Sequence, residues 1–208
     1  MKPRSIVYID GFNLYYGSIR GGPNKWLNLE RYFALLRQGD DIQRIHYFTA
    51  MIDGPHLANQ KAYLRALATL PRVNIVLGYY KFKSVTCGVR PCNFTGRRRF
   101  RVPEEKHTDV NIAVQMIDDA YQDCCDVFVL VSGDSDLVPA VNRVKSRFPD
   151  KRIAVYVPSR DLSRGAAVEL RSAADTNKTL PLALLKRSQF PARIPDGSGG
   201  VITKPNVW

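Results

Sequence analysis

The sequence predicts an α/β fold with a mostly parallel central sheet that helices cover on both faces. Short continuous apolar runs, typical of strands buried on both faces, alternate with longer segments whose apolar residues recur at helical spacing. Regular alternation of this kind favours right-handed βαβ units in one parallel sheet. A length of 208 residues suits one such domain, and no internal repeat suggests a different architecture.

The predicted elements follow each other in regular order as far as the middle of the chain. Strands are predicted at Ser5–Ile9, Ile42–Ala50, Val73–Tyr80, Val127–Val131, Ile153–Val157 and Lys178–Leu182. Helices are predicted at Leu29–Leu36, His56–Leu70, Thr108–Tyr121, Leu137–Phe148, Ala166–Ala174 and Leu184–Ser188. The pattern breaks over 81–103, which could hold a short hairpin. The domain is expected to span 1–191, and 192–208 is rich in Gly, Pro and polar residues, which predicts a poorly ordered tail.

The formal net charge of +12 and the pI of about 9.7 predict a strongly basic surface. Such a surface favours a polyanionic partner, with nucleic acid first and an anionic membrane second. No apolar run reaches membrane-spanning length, and the N-terminus lacks the pattern of a signal peptide. The four cysteines, two of them adjacent, fit a reduced cytoplasmic protein.

Acidic residues follow the most apolar predicted strand. Val127–Val131 ends in a Ser-Gly pair, and Asp134 and Asp136 come next, immediately before a helix. The carboxyl edge of an open α/β sheet is where ligands bind. Two carboxylates this close repel each other unless a cation or a proton lies between them, so the pattern predicts a metal site.

Two further aspartates are placed to complete this site. Asp10 directly follows the first strand, and it lies on the same edge as Asp134 if their strands are neighbours. Asp109 lies in the first turn of the helix after the basic segment, with Thr108 or His107 as a possible cap. Carboxylates from several strand ends suit Mg²⁺ or Mn²⁺, which prefer oxygen ligands. Such an ion would activate water and neutralise a phosphate during phosphodiester hydrolysis.

Each aspartate also has a purely structural interpretation. Asp10 precedes a glycine and could be a turn residue, Asp109 could be only a charge at a helix N-terminus, and Asp134 and Asp136 could be capping residues. Their joint position on one predicted edge favours the functional interpretation.

Three segments that contain these acids resemble the NYN domain of the LabA/DUF88 type, in the PIN-like nuclease superfamily. They are Ile9-Asp10-Gly11-Phe12-Asn13-Leu14, Glu105-Lys106-His107-Thr108-Asp109-Val110 and Ser132-Gly133-Asp134-Ser135-Asp136-Leu137-Val138-Pro139. Ala173–Asp175 and Leu185–Pro191 also resemble the C-terminal end of that family. The resemblance covers about residues 4 to 191.

The resemblance implies a PIN-like Rossmannoid three-layer fold and metal-dependent cleavage of RNA with Mg²⁺ or Mn²⁺, endonucleolytic by expectation. By motif match it gives Asp10, Asp109, Asp134 and Asp136 as the metal-binding and catalytic set. It gives Asn13 as a polar residue at or behind the ion, although Asn13 could equally be a turn residue, and Ser132 and Ser135 as groups that orient water or phosphate. PIN-like domains often pair, so a homodimer is a further expectation.

The segment 81–107 forms a basic insertion. It holds eight basic and two acidic residues, a net charge of +6 and half of the formal charge of the chain. Arginines bind phosphates and exposed aromatics stack on unpaired bases, so the composition predicts contact with RNA, although a solvated basic loop would look similar. The predicted nucleic-acid-binding residues are Lys81, Lys83, Arg97, Arg98, Arg99, Arg101 and Lys106.

Other sites and functions find less support. Cys87 and Cys92, with His107 as a third ligand, could bind zinc, but no convincing fourth ligand is visible. Cys124 and Cys125 precede a buried strand, which favours packing. The sequence has no Walker A motif, no Gly-x-Gly-x-x-Gly and no Gly-x-Ser-x-Gly. A non-catalytic RNA-binding module is the main alternative. A phosphatase of the haloacid dehalogenase type is disfavoured, because Phe12 stands where that class usually has a second aspartate.

Overall fold

The computed structural model describes residues 1–52, 54–160 and 167–206, and in them a seven-stranded sheet lies between two layers of helices. The strands are β1 Arg4–Asp10, β2 Asp41–Ala50, β3 Val73–Thr86, β4 Arg99–Lys106, β5 Val127–Val131, β6 Arg152–Val157 and β7 Thr176–Thr179. Their order across the sheet is β4-β3-β2-β1-β5-β6-β7. Every neighbouring pair is parallel except β3 and β4, which are antiparallel. The predicted α/β class and the mostly parallel sheet are confirmed.

The helices connect these strands as the alternation predicts. They are α1 Gly11–Leu14, α2 Leu29–Leu36, α3 Leu57–Ala68, α4 Thr108–Tyr121, α5 Val138–Arg147, α6 Val168–Ala173 and α7 Ala183–Arg187. A π-helix, Tyr15–Ile19, extends α1, and a 3₁₀-helix, Ser135–Leu137, precedes α5. The predicted helix over Ala166–Ala174 is confirmed from Val168 onward, and Ala166 lies outside the described residues. None of the helices described is long and apolar enough to cross a membrane.

β1 is the central strand, and successive side chains on it enter two different cores. Val7 and Ile9 pack with residues of α2, α3 and α7 on one face of the sheet. Ile6 and Tyr8 pack on the other face with residues of α4, α5 and α6. This period of two is the geometry of an extended strand, and both faces are apolar because helices cover both.

The position of β1 brings two of the predicted acids together. β1 pairs with β2 on one side and with β5 on the other, and Ile9 lies beside Val131 in the register. Asp10 therefore lies at the same carboxyl edge as the residues that follow β5. The predicted placement of Asp10 and Asp134 on one edge required that β1 and β5 be neighbours, and they are.

The predicted orientation of α4 is wrong. In the sequence, Val110, Ala113–Val114 and Ile117 recur at helical spacing on one face of α4, which predicts that this face is buried. The structure instead buries Ile112 and Met116, while Val110 and Val114 are 62% and 61% exposed. Both faces of this helix carry apolar residues, so periodicity alone did not identify the buried one.

The C-terminal segment forms a hairpin where the sequence predicts a poorly ordered tail. Strands β8, Arg193–Pro195, and β9, Val201–Thr203, pair antiparallel. Ile194 and Ile202 are buried and belong to the same core as α2 and α3. Asp196 stabilises the turn by accepting hydrogen bonds from the backbone N–H groups of Ser198 and Gly200. The expectation is therefore corrected for 193–203, because two isoleucines anchor the segment to the domain core.

Candidate metal centre

Asp10 is a buried carboxylate at the centre of the sheet edge. It is 2% exposed, ends β1 and caps α1. Its Oδ1 accepts a hydrogen bond from the backbone N–H of Asn13 at 2.9 Å. Its Oδ2 accepts from Asn13 Nδ2 at 2.5 Å and from Ser132 Oγ at 3.0 Å. These bonds fix the carboxylate in one orientation, as helix capping by an aspartate requires.

Asn13 and Ser132 join the end of β1 to the turn that follows β5. Asn13 Oδ1 accepts a hydrogen bond from the backbone N–H of Gly133 at 3.1 Å. Ser132 Oγ accepts from the backbone N–H of Asp134 at 3.1 Å while donating to Asp10. A Cβ on Gly133 would lie 3.2 Å from Asn13 Oδ1, so the turn is packed closely. These two polar side chains therefore position both acidic segments.

Asp109, Asp134 and Asp136 form a group in which one carboxylate oxygen of each lies within 4.8 Å of the others. Asp134 also caps the 3₁₀-helix, since its Oδ1 accepts from the backbone N–H of Asp136 at 2.9 Å. The structural and functional interpretations of Asp134 are thus compatible. Ser135 lies in the same 3₁₀-helix with an exposed side chain.

Asp10 stands beside this group and not within it. Both of its oxygens already accept hydrogen bonds. A carboxylate oxygen has two lone pairs, and Oδ1 accepts only one bond from the described residues, so it retains acceptor capacity. Its charge also reaches the group, because Asp10 is one of the acids that raise the pKa of Asp109.

Burial and repulsion disfavour the ionised forms of Asp10 and Asp109. Burial, together with the charges of Asp10, Asp134, Glu105 and Asp136, raises the pKa of Asp109 to about 7. Burial also raises the pKa of Asp10, although hydrogen bonds from Asn13 and Ser132 oppose that effect. A cation placed among these carboxylates would relieve the repulsion. The three-residue group offers only carboxylate oxygens, which is the donor set that suits Mg²⁺ or Mn²⁺.

Glu105 holds the start of α4 and therefore the position of Asp109. Its Oε1 accepts hydrogen bonds from both the backbone N–H and the hydroxyl of Thr108. His107, at the helix N-cap, has a left-handed backbone with φ of 78° and makes no capping hydrogen bond through its side chain. Neither of the two predicted caps, His107 and Thr108, caps the helix through its side chain. Glu105 instead accepts the hydrogen bond from the backbone N–H of Thr108. Glu105 lies two residues before the N-cap, outside the positions at which a capping side chain is expected, so the sequence gives no signal for this role.

Gly78 on β3 allows β4 to approach closely at this point. A Cβ on Gly78 would lie 2.6 Å from the backbone oxygen of Lys106, at the end of β4. The ring of Tyr79 packs edge-on against His107, with 4.5 Å between the ring centres. The close pairing of β3 and β4 thus fixes the position at which α4 begins.

An open cleft of about 500 Å³ lies beside Asp109 and Asp136. One wall is the exposed apolar side of α4 that carries Val110 and Val114. The other side is the end of β4. Its lining residues are Glu104, Glu105, Lys106, His107, Asp109, Val110, Ala113, Val114, Ile117 and Asp136. The cleft gives a ligand access to the carboxylate group from solvent.

The basic insertion is mostly an extension of β3 and β4. The two strands remain paired from Tyr79 with Lys106 to Thr86 with Arg99, and a loop connects them. Of the predicted nucleic-acid-binding residues, Lys81 and Lys83 lie on β3, Arg97 and Arg98 in the loop, and Arg99, Arg101 and Lys106 on β4. All except Lys106 are exposed.

Aromatic rings lie among these basic side chains. Phe82, Phe94 and Phe100 are exposed, and the guanidinium of Arg101 lies over the ring of Phe82 at 4.6 Å. Lys106 pairs with Glu104 at 2.9 Å. The basic insertion therefore presents positively charged side chains and aromatic rings together, close to the start of α4.

The described residues give no support to the zinc hypothesis. Cys87 and Cys92 lie close together, but His107 does not join them in a group of three possible ligands. Cys125 is fully buried in the core beside α4, as the packing interpretation predicts.

Comparisons with known proteins agree on the fold. The sequence model of the NYN domain family matches residues 4–180. The 6-hydroxy-3-succinoylpyridine 3-monooxygenase HspA of Pseudomonas putida is 30% identical over 99% of this chain and 75% of its own length. A crystal structure of a protein of unknown function from Vibrio parahaemolyticus is similar with a TM-score of 0.55 and 18% identity, covering 86% of this chain and 94% of that one.

Proposed function

Because the chain belongs to the NYN domain family, whose fold is of the PIN-like nuclease type, we propose that it is a metal-dependent ribonuclease. The observation that carries the proposal is the group of Asp109, Asp134 and Asp136 at the carboxyl edge of the sheet. Hydrolysis of a phosphodiester needs charge neutralisation at the phosphate and an activated water, and a carboxylate-bound ion supplies both.

In this proposal Asp109, Asp134 and Asp136 hold Mg²⁺ or Mn²⁺. Asp10 adds negative charge behind the ion and retains an acceptor position on Oδ1. Asn13 and Ser132 keep Asp10 and the turn after β5 in register, so they are positioning residues. Ser135, exposed between two of the ligands, is available to the phosphate.

RNA is the proposed substrate because the basic insertion lies beside the carboxylate group in the fold. Its exposed cations supply phosphate contacts, and Phe82, Phe94 and Phe100 supply rings on which unpaired bases stack. We expect endonucleolytic cleavage, because the cleft at the acids is open and an RNA chain can cross it in either direction. Two copies pairing as a homodimer belong to the same proposal, and light scattering measures the mass directly.

The test is cleavage of a mixed single-stranded RNA pool in Mg²⁺, in Mn²⁺ and in EDTA, with the wild type beside Asp134→Asn. Asparagine keeps the capping oxygen for the 3₁₀-helix and removes the charge, so the fold is retained. Asp118→Asn makes the same change on an exposed part of α4 and is the matched control.

Metal-dependent cleavage that Asp134→Asn loses and Asp118→Asn keeps is the expected result. Equal cleavage by all three proteins would indicate a contaminating nuclease. No cleavage, with salt-sensitive RNA binding by all three, would replace the nuclease with a non-catalytic RNA-binding module.

A second candidate is oxygenation of a small aromatic compound, because the Pseudomonas putida relative is named a monooxygenase and matches 99% of this chain. The apolar wall of Val110 and Val114 beside the acids would suit an aromatic ring. This candidate ranks second because the carboxylate group lacks the two histidines that non-haem Fe(II) oxygenases typically use. Incubation with 6-hydroxy-3-succinoylpyridine, oxygen and a two-electron donor, followed by mass spectrometry of the product, separates the two functions.

A further inference from the structure

Cys87 and Cys92 place two thiols side by side in the basic insertion. Cys87 follows the last residue of β3, and Cys92 lies five residues later in the loop before β4. Their Sγ atoms are 3.8 Å apart, and both cysteines are free and partly exposed. A disulfide has a bond length of about 2.05 Å, so a short approach of the two sulfurs would join them.

Arg98 is hydrogen-bonded to both cysteines. The backbone N–H of Cys87 donates to the backbone oxygen of Arg98 at 2.8 Å. The guanidinium of Arg98 donates through Nη2 to the backbone oxygen of Cys92 at 3.1 Å. Arg98 lies in the middle of Arg97–Arg99, and β4 begins at Arg99. Hydrogen bonds therefore connect the backbones of both cysteines to the segment Arg97–Arg99.

We propose that Cys87 and Cys92 are a redox pair whose disulfide fixes the loop that carries Arg97–Arg99. The oxidant is a peroxide. One thiolate attacks it and becomes a sulfenic acid, with release of one water, and the second thiol then displaces a second water. Two thiols and one hydrogen peroxide give one disulfide and two waters. An external dithiol reduces the disulfide to two thiols by exchange and becomes a disulfide itself.

The other two cysteines provide an internal comparison. Cys125 is fully buried, and burial raises the pKa of its thiol to about 12. Burial also raises the pKa of Cys124. A thiolate is the form that reacts with peroxide, so neither residue is favoured for oxidation.

The disulfide would act on the insertion by restricting its conformations. A loop that is already fixed loses less conformational entropy when it binds a ligand, so the affinity rises without new contacts. The effect on RNA rests on the function proposed above, whereas formation of the disulfide and the loss of loop motion do not depend on it.

The experiment treats the purified full chain with one equivalent of hydrogen peroxide and maps the cysteines by alkylation and mass spectrometry. The variants are Cys87→Ser and Cys92→Ser, with Cys124→Ser as the matched control. Limited trypsin digestion then measures cleavage after the arginines of Arg97–Arg99. Binding of a fluorescent single-stranded RNA is measured on the same samples by polarisation, in EDTA so that no cleavage occurs.

We expect a Cys87–Cys92 disulfide in the wild type and in Cys124→Ser, and trypsin cleavage in the loop at least five-fold slower than in the reduced protein. Dithiothreitol should restore the fast rate, and neither Cys87→Ser nor Cys92→Ser should show the change. We also expect the RNA affinity of the oxidised protein to be at least three-fold higher.

Three outcomes would overturn the inference. They are oxidation that falls on Cys124 or links two chains, a disulfide that leaves the trypsin rate unchanged, and a zinc ion that the pair retains and that blocks oxidation. RNA binding that is absent in both redox states, together with the expected disulfide and slower digestion, would contradict the proposed function and leave the redox pair standing.

Discussion

Replacement of Asp109 by asparagine tests whether repulsion among the carboxylates destabilises the fold when no cation is bound between them. Asparagine keeps the size of the side chain and removes one of the crowded charges. We expect Asp109→Asn to be more stable than the wild type in EDTA at pH 8. We also expect it to lose the stabilisation that Mn²⁺ or Mg²⁺ gives the wild type.

The magnitude follows from the pKa of Asp109, which rises from an ordinary 3.8 to about 7. At about 1.4 kcal/mol for each pH unit, that rise corresponds to roughly 4 kcal/mol of unfavourable free energy for the ionised form. Partial exposure and screening by solvent reduce the figure to about 2 kcal/mol. Loss of a favourable charge at the N-terminus of α4 offsets up to about 1 kcal/mol of the gain. The expected net gain is about 1–2 kcal/mol.

The sign of the pH dependence gives an independent check. The folded state holds the Asp109 proton up to about pH 7, whereas the unfolded state releases it near 3.8. The contribution of Asp109 to stability is therefore complete below pH 3.8 and is lost as the pH rises through 7. The advantage of Asp109→Asn should thus be largest at pH 8 and small at pH 5.

The assay is urea unfolding at pH 5 and pH 8, with EDTA or with excess Mn²⁺. Saturation of the wild type at about one hundred times the dissociation constant adds about 2.7 kcal/mol. Asp118→Asn, an equal change of charge on an exposed part of the same helix, should behave as the wild type does. The reasoning is refuted if Asp109→Asn is no more stable than the wild type at pH 8 in EDTA, or if Mn²⁺ stabilises both proteins equally.

Three further predictions concern other parts of the molecule. Gly78→Ala places a Cβ 2.6 Å from the backbone oxygen of Lys106, so we expect the free energy of unfolding to fall by about 2–3 kcal/mol. We also expect Mn²⁺ to stabilise this variant less than the wild type in thermal melts. A destabilised variant with an unchanged response to Mn²⁺ would contradict the link between Gly78 and the acidic group. Burial lowers the pKa of His46, so the folded state holds this side chain neutral. The free energy of unfolding should therefore fall as the pH drops below about 6.5. In urea unfolding at pH 5.5 and 7.5, His46→Gln should reduce this pH dependence. Ile202→Ala should cost about 2–4 kcal/mol in chemical unfolding, whereas Val201→Ala, at an exposed position, should cost little; equal small losses would show that the hairpin does not anchor to the core.

The features that the sequence predicts correctly are those encoded locally. The run Val127–Val131 has no residue that competes with a buried strand, and the aspartates that follow it come directly at its end. The same holds for Asp10, the last residue of β1. Once the strands are parallel and adjacent, their carboxyl ends must meet, so the edge that carries the acids follows from the topology alone.

The features that the sequence misses depend on contacts between distant segments. Glu105 is the exception, because Thr108, whose backbone N–H and hydroxyl donate to it, lies only three residues further along the chain. The buried face of α4 is chosen by its neighbours, since Ile112 and Val114 are both apolar. The last hairpin is invisible in the composition because two isoleucines, Ile194 and Ile202, anchor a segment that is otherwise polar.

The central position of β1 has a consequence for synthesis on the ribosome. β1 is made first and pairs early with β2, but its other neighbour, β5, is made more than 110 residues later. A nascent chain that ends before residue 127 already contains the basic insertion, yet it lacks Asp134 and Asp136 and leaves one edge of β1 unpaired. The pairing of β1 with β5 is also the step that assembles the acidic group, so the emerging chain contains the basic insertion well before these carboxylates can meet.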